Sequence, residues 1–164
     1  MGCVYEQKIY YSNAIQTYAS TEPFYKNEVK PFLVTLKPTL ACICRCRHCF
    51  GRRKQFLPGT KVLSLDDYSR LFDDLVALGT NTICISGGEP LLYPHLVKLT
   101  SLATKKGLYV TLNTQGDLLT PNYFKALLDA GLVALNLSID SPFPQVHNSL
   151  REQNGLFEKV VATV

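Results

Sequence analysis

The fold is decided by residues 80–116, TNTICISGGEPLLYPHLVKLTSLATKKGLYVTLNTQG. Within them, ICIS and LYVTLN are short and almost wholly apolar, as strands that helices cover on their faces tend to be. Pro94 stands where the first turn of a helix tolerates proline. Gly107 stands just after the predicted helix, where the left-handed backbone conformation that ends many helices favours glycine. The stretch therefore predicts a strand, a helix and a second strand.

The same alternation continues on both sides of this unit. Further strands are predicted at PFLVTLK and VALNLS, and further helices at DDYSRLFDDLVALG and TPNYFKALLDAG. Strands that alternate with helices along the chain form a parallel sheet, of the barrel or the doubly wound type. We therefore expect an α/β fold made of four βα units.

The domain boundaries follow from these units. We expect residues 31–164 to form the domain and residues 1–30, which show no clear period, to form an irregular leader. A closed β/α barrel has eight strands over roughly 250 residues. The last segment, GLFEKVVATV, begins like a helix but has no C-terminal glycine cap. We therefore expect a truncated domain, the N-terminal part of a longer one.

Composition and charge exclude several classes of protein. The chain has no run of 18 apolar residues, which argues against a membrane span, and no basic flank followed by an apolar stretch, which argues against secretion. A net charge of +4 is too weak and too scattered to indicate a nucleic-acid partner. We expect a cytoplasmic protein with no membrane partner and no nucleic-acid partner.

Polar residues follow each predicted strand. The loop CICRCRHC, residues 42–49, follows the first strand, and Gly87-Gly88-Glu89-Pro90 follows the second. Thr114-Gln115-Gly116 follows the third strand, and Ser138 and Asp140 follow the fourth. Ligands of such folds bind at the carboxyl ends of the strands, so we expect the four groups to converge on one face. Taken singly, GGEP and TQG are also ordinary turn sequences, and Asp140 is also a candidate helix cap.

The four cysteines of residues 42–49 predict a metal site. They are too close together for several disulfides, and without a signal sequence the compartment is expected to be reducing. Two kinds of site compete. The spacing C-x3-C-x2-C suits a cubane iron–sulfur cluster with three ligated irons and one open iron, whereas all four cysteines together suit a structural zinc ion. No later pair of ligands supports zinc.

Four motifs resemble the radical S-adenosylmethionine (SAM) enzymes. That family carries C-x3-C-x-aromatic-C after the first strand of a partial or full β/α barrel, and CICRCRHC has His48 in the aromatic place. SGGEPLLYPHL resembles the family's second-strand GGE motif, LNTQGDLL its third-strand stretch, and LSIDSPFPQVHNSLREQNGLFEKV its fourth-strand segment. The resemblance runs from Val34 to Val164. It implies a partial TIM-like barrel that binds a 4Fe-4S cluster and SAM.

The resemblance also assigns site residues. It implies that Glu89 lies near the SAM ammonium and that Arg151 pairs with the SAM carboxylate, although a solvated surface arginine is an equal alternative. Cys44 lies inside the x3 gap and has no family role. The other implied positions are Cys42, Cys46 and Cys49 as cluster ligands, His48 against the adenine, Gly87 and Gly88 for close backbone approach, and Thr114 and Ser138 for hydrogen bonds to methionyl or ribose groups.

The function implied is reductive cleavage of SAM to a 5′-deoxyadenosyl radical that takes a hydrogen atom from a substrate. The resemblance favours a peptide or protein substrate, with a small molecule such as a sugar, an aminocyclitol or a cofactor precursor as the alternative. It implies an electron donor such as flavodoxin or ferredoxin, and it identifies no catalytic residue. A non-catalytic, metal-stabilised binding domain is the non-enzymatic alternative.

Overall fold

The computed structural model describes residues 31–49 and 63–163. The expected leader, residues 1–30, lies outside this range. The described elements alternate as predicted; they are β1 (Leu33–Thr39), α1 (Leu65–Ala77), β2 (Thr82–Gly87), a 3-10 turn (Pro90–Leu92), α2 (Leu96–Lys105), β3 (Tyr109–Thr114), α3 (Pro121–Asp129), β4 (Leu132–Leu137), α4 (Pro144–Arg151) and α5 (Leu156–Thr163).

The four strands form one parallel sheet in the order β1-β2-β3-β4. One row of paired residues, Leu36, Ile85, Leu112 and Leu135, crosses all four strands. The predicted α/β arrangement is thus confirmed. Because the strands are parallel and paired in this register, their carboxyl ends meet at one edge of the sheet.

The strands are buried mainly on one face, although Cys84 on the other face of β2 is only 8% exposed. Burial alternates along β1 and β3, and their outward residues Leu33 and Tyr109 are 50% and 57% exposed. The inward residues join a core with the helices, whose members include Val34, Leu36, Phe72, Leu75, Ile83, Ile85, Leu99, Val110, Leu112 and Leu127. Of the two sheet types that the strand pattern left open, this coverage favours the barrel for the described residues. One-sided coverage is typical of a barrel wall rather than of a doubly wound sheet.

Capping residues place the helix ends. Ser64 caps α1 through Asp67 in a reciprocal capping box, and Thr120 caps α3 by accepting the Tyr123 N–H at 3.2 Å. Pro94 precedes α2 instead of opening it, because the chain first makes the 3-10 turn and the helix begins at Leu96. In the part of the chain that the structure describes, no helix is long and apolar enough to cross a membrane.

Candidate functional site

The four polar groups predicted at the strand ends lie together in the structure. The turn after β2 bonds to the start of the cysteine loop, with the Glu89 N–H donating to the Ala41 carbonyl at 2.7 Å. The Thr114 hydroxyl at the end of β3 donates to Glu89 Oε1 at 2.6 Å, and the Ser138 N–H donates to the Thr114 carbonyl at 3.0 Å. A chain of hydrogen bonds therefore connects all four strand ends.

The cysteine loop is docked on the C-terminal end of α4. The N–H groups of Arg45 and Arg47 donate to the carbonyls of Arg151 and Leu150, at 3.3 Å and 2.9 Å. These carbonyls are among those that a helix end leaves without an intrahelical partner. The loop thus supplies hydrogen-bond donors to the last carbonyls of α4, and these bonds in turn hold the loop in place.

The four thiols have two kinds of surroundings. Cys42 and Cys49 are exposed, whereas Cys44 and Cys46 are buried against Leu156 and Val160 of α5 together with Leu137. All four are free thiols. Within residues 31–49 and 63–163, no three or more His, Cys, Asp or Glu side chains are grouped closely enough to hold a metal ion.

Gly87 and Gly88 make room for the chain's own backbone. A Cβ at Gly88 would lie 2.2 Å from the Ala41 carbonyl oxygen, and one at Gly87 would lie 2.3 Å from that of Thr39. Gly87 also has a φ of +132°, which favours glycine. Gly87 thus lets β2 lie against the end of β1, and Gly88 lets the β2 turn lie against the residues that lead into the cysteine loop. This close approach is to the chain's own backbone, whereas the resemblance implied close approach to a ligand.

Glu89 is completely buried and is engaged by three donors. Its Oε1 accepts from the Thr114 hydroxyl and from the Leu91 N–H at 3.0 Å, and its Oε2 accepts from the Gln115 N–H at 2.9 Å. Burial raises the pKa of Glu89, while the three hydrogen bonds oppose that rise. In this structure the carboxylate therefore joins the turn after β2 to the turn after β3.

Gln115 forms a bridge between two cysteines, which the sequence did not indicate. Its side-chain Nε2 donates to Cys42 Sγ at 3.0 Å, and its Oε1 accepts from the Cys44 thiol. Burial, with the neighbouring Cys42 and Cys46, raises the pKa of Cys44 to about 12. Cys44, to which the family resemblance assigned no role, is thus a buried hydrogen-bond donor.

Arg151 is paired with Asp140. The Arg151 guanidinium, 10% exposed, donates to both carboxylate oxygens of Asp140, from Nε at 2.5 Å and from Nη2 at 2.9 Å. These hydrogen bonds lower the pKa of Asp140. Asp140 does not cap α4, which begins at Pro144 after Phe143. Arg151 is a buried, paired cation, and the surface alternative is wrong.

The pair has cysteine and histidine neighbours. Burial raises the pKa of Cys46, and the Arg151 charge opposes that rise, as expected for a cation near a thiol. Half of the His48 side chain is exposed, and its Nε2 lies 3.8 Å from Asp140 Oδ1. The predicted SAM-contact residues His48 and Arg151 therefore meet at one carboxylate.

His147 belongs to the same group and was not assigned from the sequence. It is fully buried, and its Nδ1 accepts the Asp140 N–H at 3.2 Å. Among the described residues, its Nε2 has no hydrogen-bond partner. The available signal was its spacing: His147 and Arg151 are four residues apart on one helix and share a face.

The chemistry of the residues present fits a thiolate-bound cluster, although in this structure the three thiols are not drawn together closely enough to hold a single metal ion. Cys42, Cys46 and Cys49 are supplied by one loop that is held by backbone bonds, with the cation of Arg151 beside Cys46. An N–H donor of Gln115 faces Cys42. Thiolates are the ligands of iron–sulfur clusters, and nearby donors and cations stabilise their negative charge.

Comparisons with known proteins cover most of the chain. The model of the Radical SAM superfamily matches residues 36–164. The AdoMet-dependent heme synthase of Methanosarcina barkeri is 33% identical over 134 residues, which are 82% of this chain and 38% of that protein. The GTP 3',8-cyclase 1 of Pseudomonas aeruginosa is 35% identical over 130 residues, which are 79% of this chain and 39% of that protein.

A solved structure shares the fold. The crystal structure of Streptococcus suis SuiB bound to S-adenosylmethionine aligns with a TM-score of 0.68 and 19% identity. The alignment covers 92% of this chain and 35% of SuiB. The chain thus spans less than half the length of these relatives, and it matches part of the SuiB fold.

Proposed function

The chain belongs to the radical SAM superfamily, whose members use a 4Fe-4S cluster and SAM, and from this premise we propose that it is the cofactor-binding part of a radical SAM enzyme. When bound, the cluster and SAM supply a one-electron reductive cleavage, which is the source of the radical that takes hydrogen from a substrate. The bridging of the four strand ends around the cysteine loop is the observation that carries this proposal.

In this proposal, the loop from Cys42 to Cys49 holds the cluster through Cys42, Cys46 and Cys49. Backbone bonds to Leu150 and Arg151 restrain the loop before any ligand binds, so less conformational freedom is lost on binding. The Arg151 charge favours the thiolate of Cys46, which is the form that binds iron.

Two sets of residues are proposed to hold SAM. Glu89, Thr114 and Ser138 form one hydrogen-bonded set at the ends of β2, β3 and β4. Arg151 and His48 form the other set, joined by Asp140. Because Glu89 and Arg151 already have internal partners, we propose that each positions its turn and shares its charge with SAM instead of binding SAM alone.

For the substrate, the relatives support the small-molecule alternative. The curated relatives named above at 33–35% identity are a heme synthase and a GTP cyclase, and both names denote small molecules. The peptide interpretation is supported only by a fold likeness: a SuiB structure bound to its precursor peptide, at 15% identity. We propose a small-molecule cofactor precursor, with a peptide as the second candidate. A flavodoxin- or ferredoxin-type protein remains the proposed electron donor.

The test is anaerobic loading of the chain with iron and sulfide, followed by SAM and a strong reductant. We expect equal molar iron and sulfide, a brown protein and release of 5′-deoxyadenosine. Replacing Cys46 by Ala removes a proposed ligand and should abolish cluster loading and 5′-deoxyadenosine release. Cys84→Ala is the matched control, since Cys84 is a buried thiol within β2, and it should retain both.

Three outcomes contradict the proposal in different ways. A Cys46→Ala chain that loads and cleaves as well as wild type removes Cys46 from the site. A colourless wild-type chain with bound zinc supports the structural-zinc alternative. A loaded wild-type chain that releases no 5′-deoxyadenosine supports a metal-stabilised binding domain.

A further inference from the structure

The Gln115 carboxamide occupies a defined place between two thiols. Its Nε2 donates to the exposed Cys42, a proposed cluster ligand, at 3.0 Å. Its Oε1 accepts from the buried Cys44, which is not a proposed ligand. Gln115 itself is only 6% exposed, so little water competes for these two bonds.

Hydrogen bonds to Glu89 and Thr114 fix the backbone around Gln115. Its N–H donates to the buried carboxylate of Glu89 at 2.9 Å, and the preceding Thr114 hydroxyl donates to the same carboxylate at 2.6 Å. The Gly116 N–H closes the turn by donating to the Thr114 hydroxyl at 3.0 Å. The side chain of Gln115 therefore starts from a rigid turn.

Cys44 determines which end of the amide faces Cys42. A carboxamide has one acceptor end and one donor end. Because the Cys44 thiol donates to Oε1, the opposite end, with its N–H groups, is directed at Cys42. The Cys44 bond to Oε1 and the Cys42 bond to Nε2 thus hold the amide in one orientation.

An N–H directed at a ligand sulfur affects the electronic state of the cluster. Hydrogen bonds to the sulfurs are among the features that set iron–sulfur reduction potentials. Adding one electron increases the negative charge on the ligand sulfurs, so a donor bond strengthens on reduction. Such a bond raises the reduction potential and makes the reduced state easier to reach.

We propose that Gln115 is a positioning residue that raises the reduction potential of the cluster through its N–H bond to Cys42, and that Cys44 holds the amide in this orientation. The inference rests on the proposed function, because it requires a cluster bound through Cys42. One electron passes from an external low-potential donor to the cluster, the donor is oxidised by one electron, and no covalent bond forms or breaks at Gln115.

The experiment measures the midpoint potential of the loaded chain by stepwise reduction with EPR detection. Gln115→Leu keeps much of the side-chain volume and removes both hydrogen-bonding ends. We expect it to load as much iron as wild type but to have a more negative potential. A tenfold loss in the reduction equilibrium constant corresponds to about 59 mV for one electron. Gln145→Leu, at an exposed position of α4, is the matched control and should not move the potential.

Variants of Cys44 test the orienting role separately. Cys44→Ala removes the donor that orients the amide, so we expect a smaller shift in the same direction. Cys44→Ser keeps a donating hydroxyl and should restore most of the wild-type potential. The double variant with Gln115→Leu and Cys44→Ala should shift no further than Gln115→Leu alone, because Cys44 acts through Gln115.

The outcomes separate this inference from the proposed function. A wild-type chain that binds no cluster overturns both. A loaded Gln115→Leu chain with the wild-type potential overturns the inference and leaves the proposed function intact. If Gln115→Leu does not load, Cys44→Ala decides, and a wild-type potential in that variant overturns the inference. Additive shifts in the double variant overturn the role of Cys44.

Discussion

Asp140→Asn is expected to destabilise the chain because it removes the charge that balances Arg151. The substitution keeps the size of the side chain but leaves a cation that is 10% exposed without its anionic partner. Breaking a fully buried ion pair costs about 3–5 kcal/mol, whereas an exposed pair is worth about 0–1 kcal/mol. Since 23% of the Asp140 side chain is exposed, we expect a loss between these limits, about 2–3 kcal/mol.

This loss corresponds to a fall in Tm of about 4–12 °C, at about 2–4 °C per kcal/mol for a chain of this size. The measurement is urea unfolding at pH 7, followed by circular dichroism. Asp129→Asn is the matched control: Asp129 pairs with Lys125 on the surface of α3, where the Lys125 side chain is 74% exposed and that of Asp129 is 63% exposed. We expect the control to change stability by no more than about 0.5 kcal/mol.

The difference between wild type and Asp140→Asn should also depend on pH. The Arg151 hydrogen bonds hold the pKa of Asp140 below its usual value, so the folded state favours the ionised carboxylate. The resulting stabilisation is complete above the unfolded pKa of about 3.9 and is lost as the pH falls through the lower folded pKa. An Asp140→Asn chain as stable as the Asp129→Asn control, or a difference that stays constant below pH 4, would refute the reasoning.

Two further substitutions test other parts of the site. Gly88→Ala puts a Cβ 2.2 Å from the Ala41 carbonyl oxygen, so we expect loss of the folded chain in thermal melts. Gly107→Ala meets nothing within 4 Å but keeps a φ of +85°, so it should cost only about 1–2 kcal/mol, and equal melting of the two variants would contradict the close packing. Glu89→Gln places an N–H group against donors, so SAM affinity measured by calorimetry should fall while iron content stays; unchanged affinity would remove Glu89 from the SAM site.

The fold was predictable because its signals are local. Gly79, Gly107 and Gly131 follow helices with φ values of +86°, +85° and +97°, and each marks the change from helix to strand. Ser64 and Thr120 cap the helices that the apolar periodicity predicts. These features depend on neighbours within a few residues, so the sequence contains them in full.

The coverage of the sheet was not predictable in the same way. The apolar strands left a barrel and a doubly wound sheet open, and only the structure shows that Leu33 and Tyr109 are exposed on the face opposite the core. Strand composition does not tell which of the two faces a helix covers, since that depends on the hand and closure of the whole sheet.

The partners inside the site depend on contacts that are distant in sequence. Glu89 meets Thr114 and Gln115 across 25 and 26 residues, and Gln115 meets Cys42 across 73. The motifs indicated which residues gather at the edge of the sheet, but the strand register decides which atoms meet. Gln115 and His147 were therefore missed as partners although both stand inside the quoted motifs.

The motif residues contact one another before they contact any ligand. Gly88 admits the backbone of the cysteine loop, and Glu89 fixes the turn that carries Gln115. Gln115 then bonds to Cys42, and the end of α4 at Arg151 holds the loop from the other side. A substitution at any of these positions therefore changes contacts within the site as well as any contact to a ligand. Loss of SAM cleavage alone cannot assign a residue to SAM binding; only iron content and potential, measured on the same variant, separate the two roles.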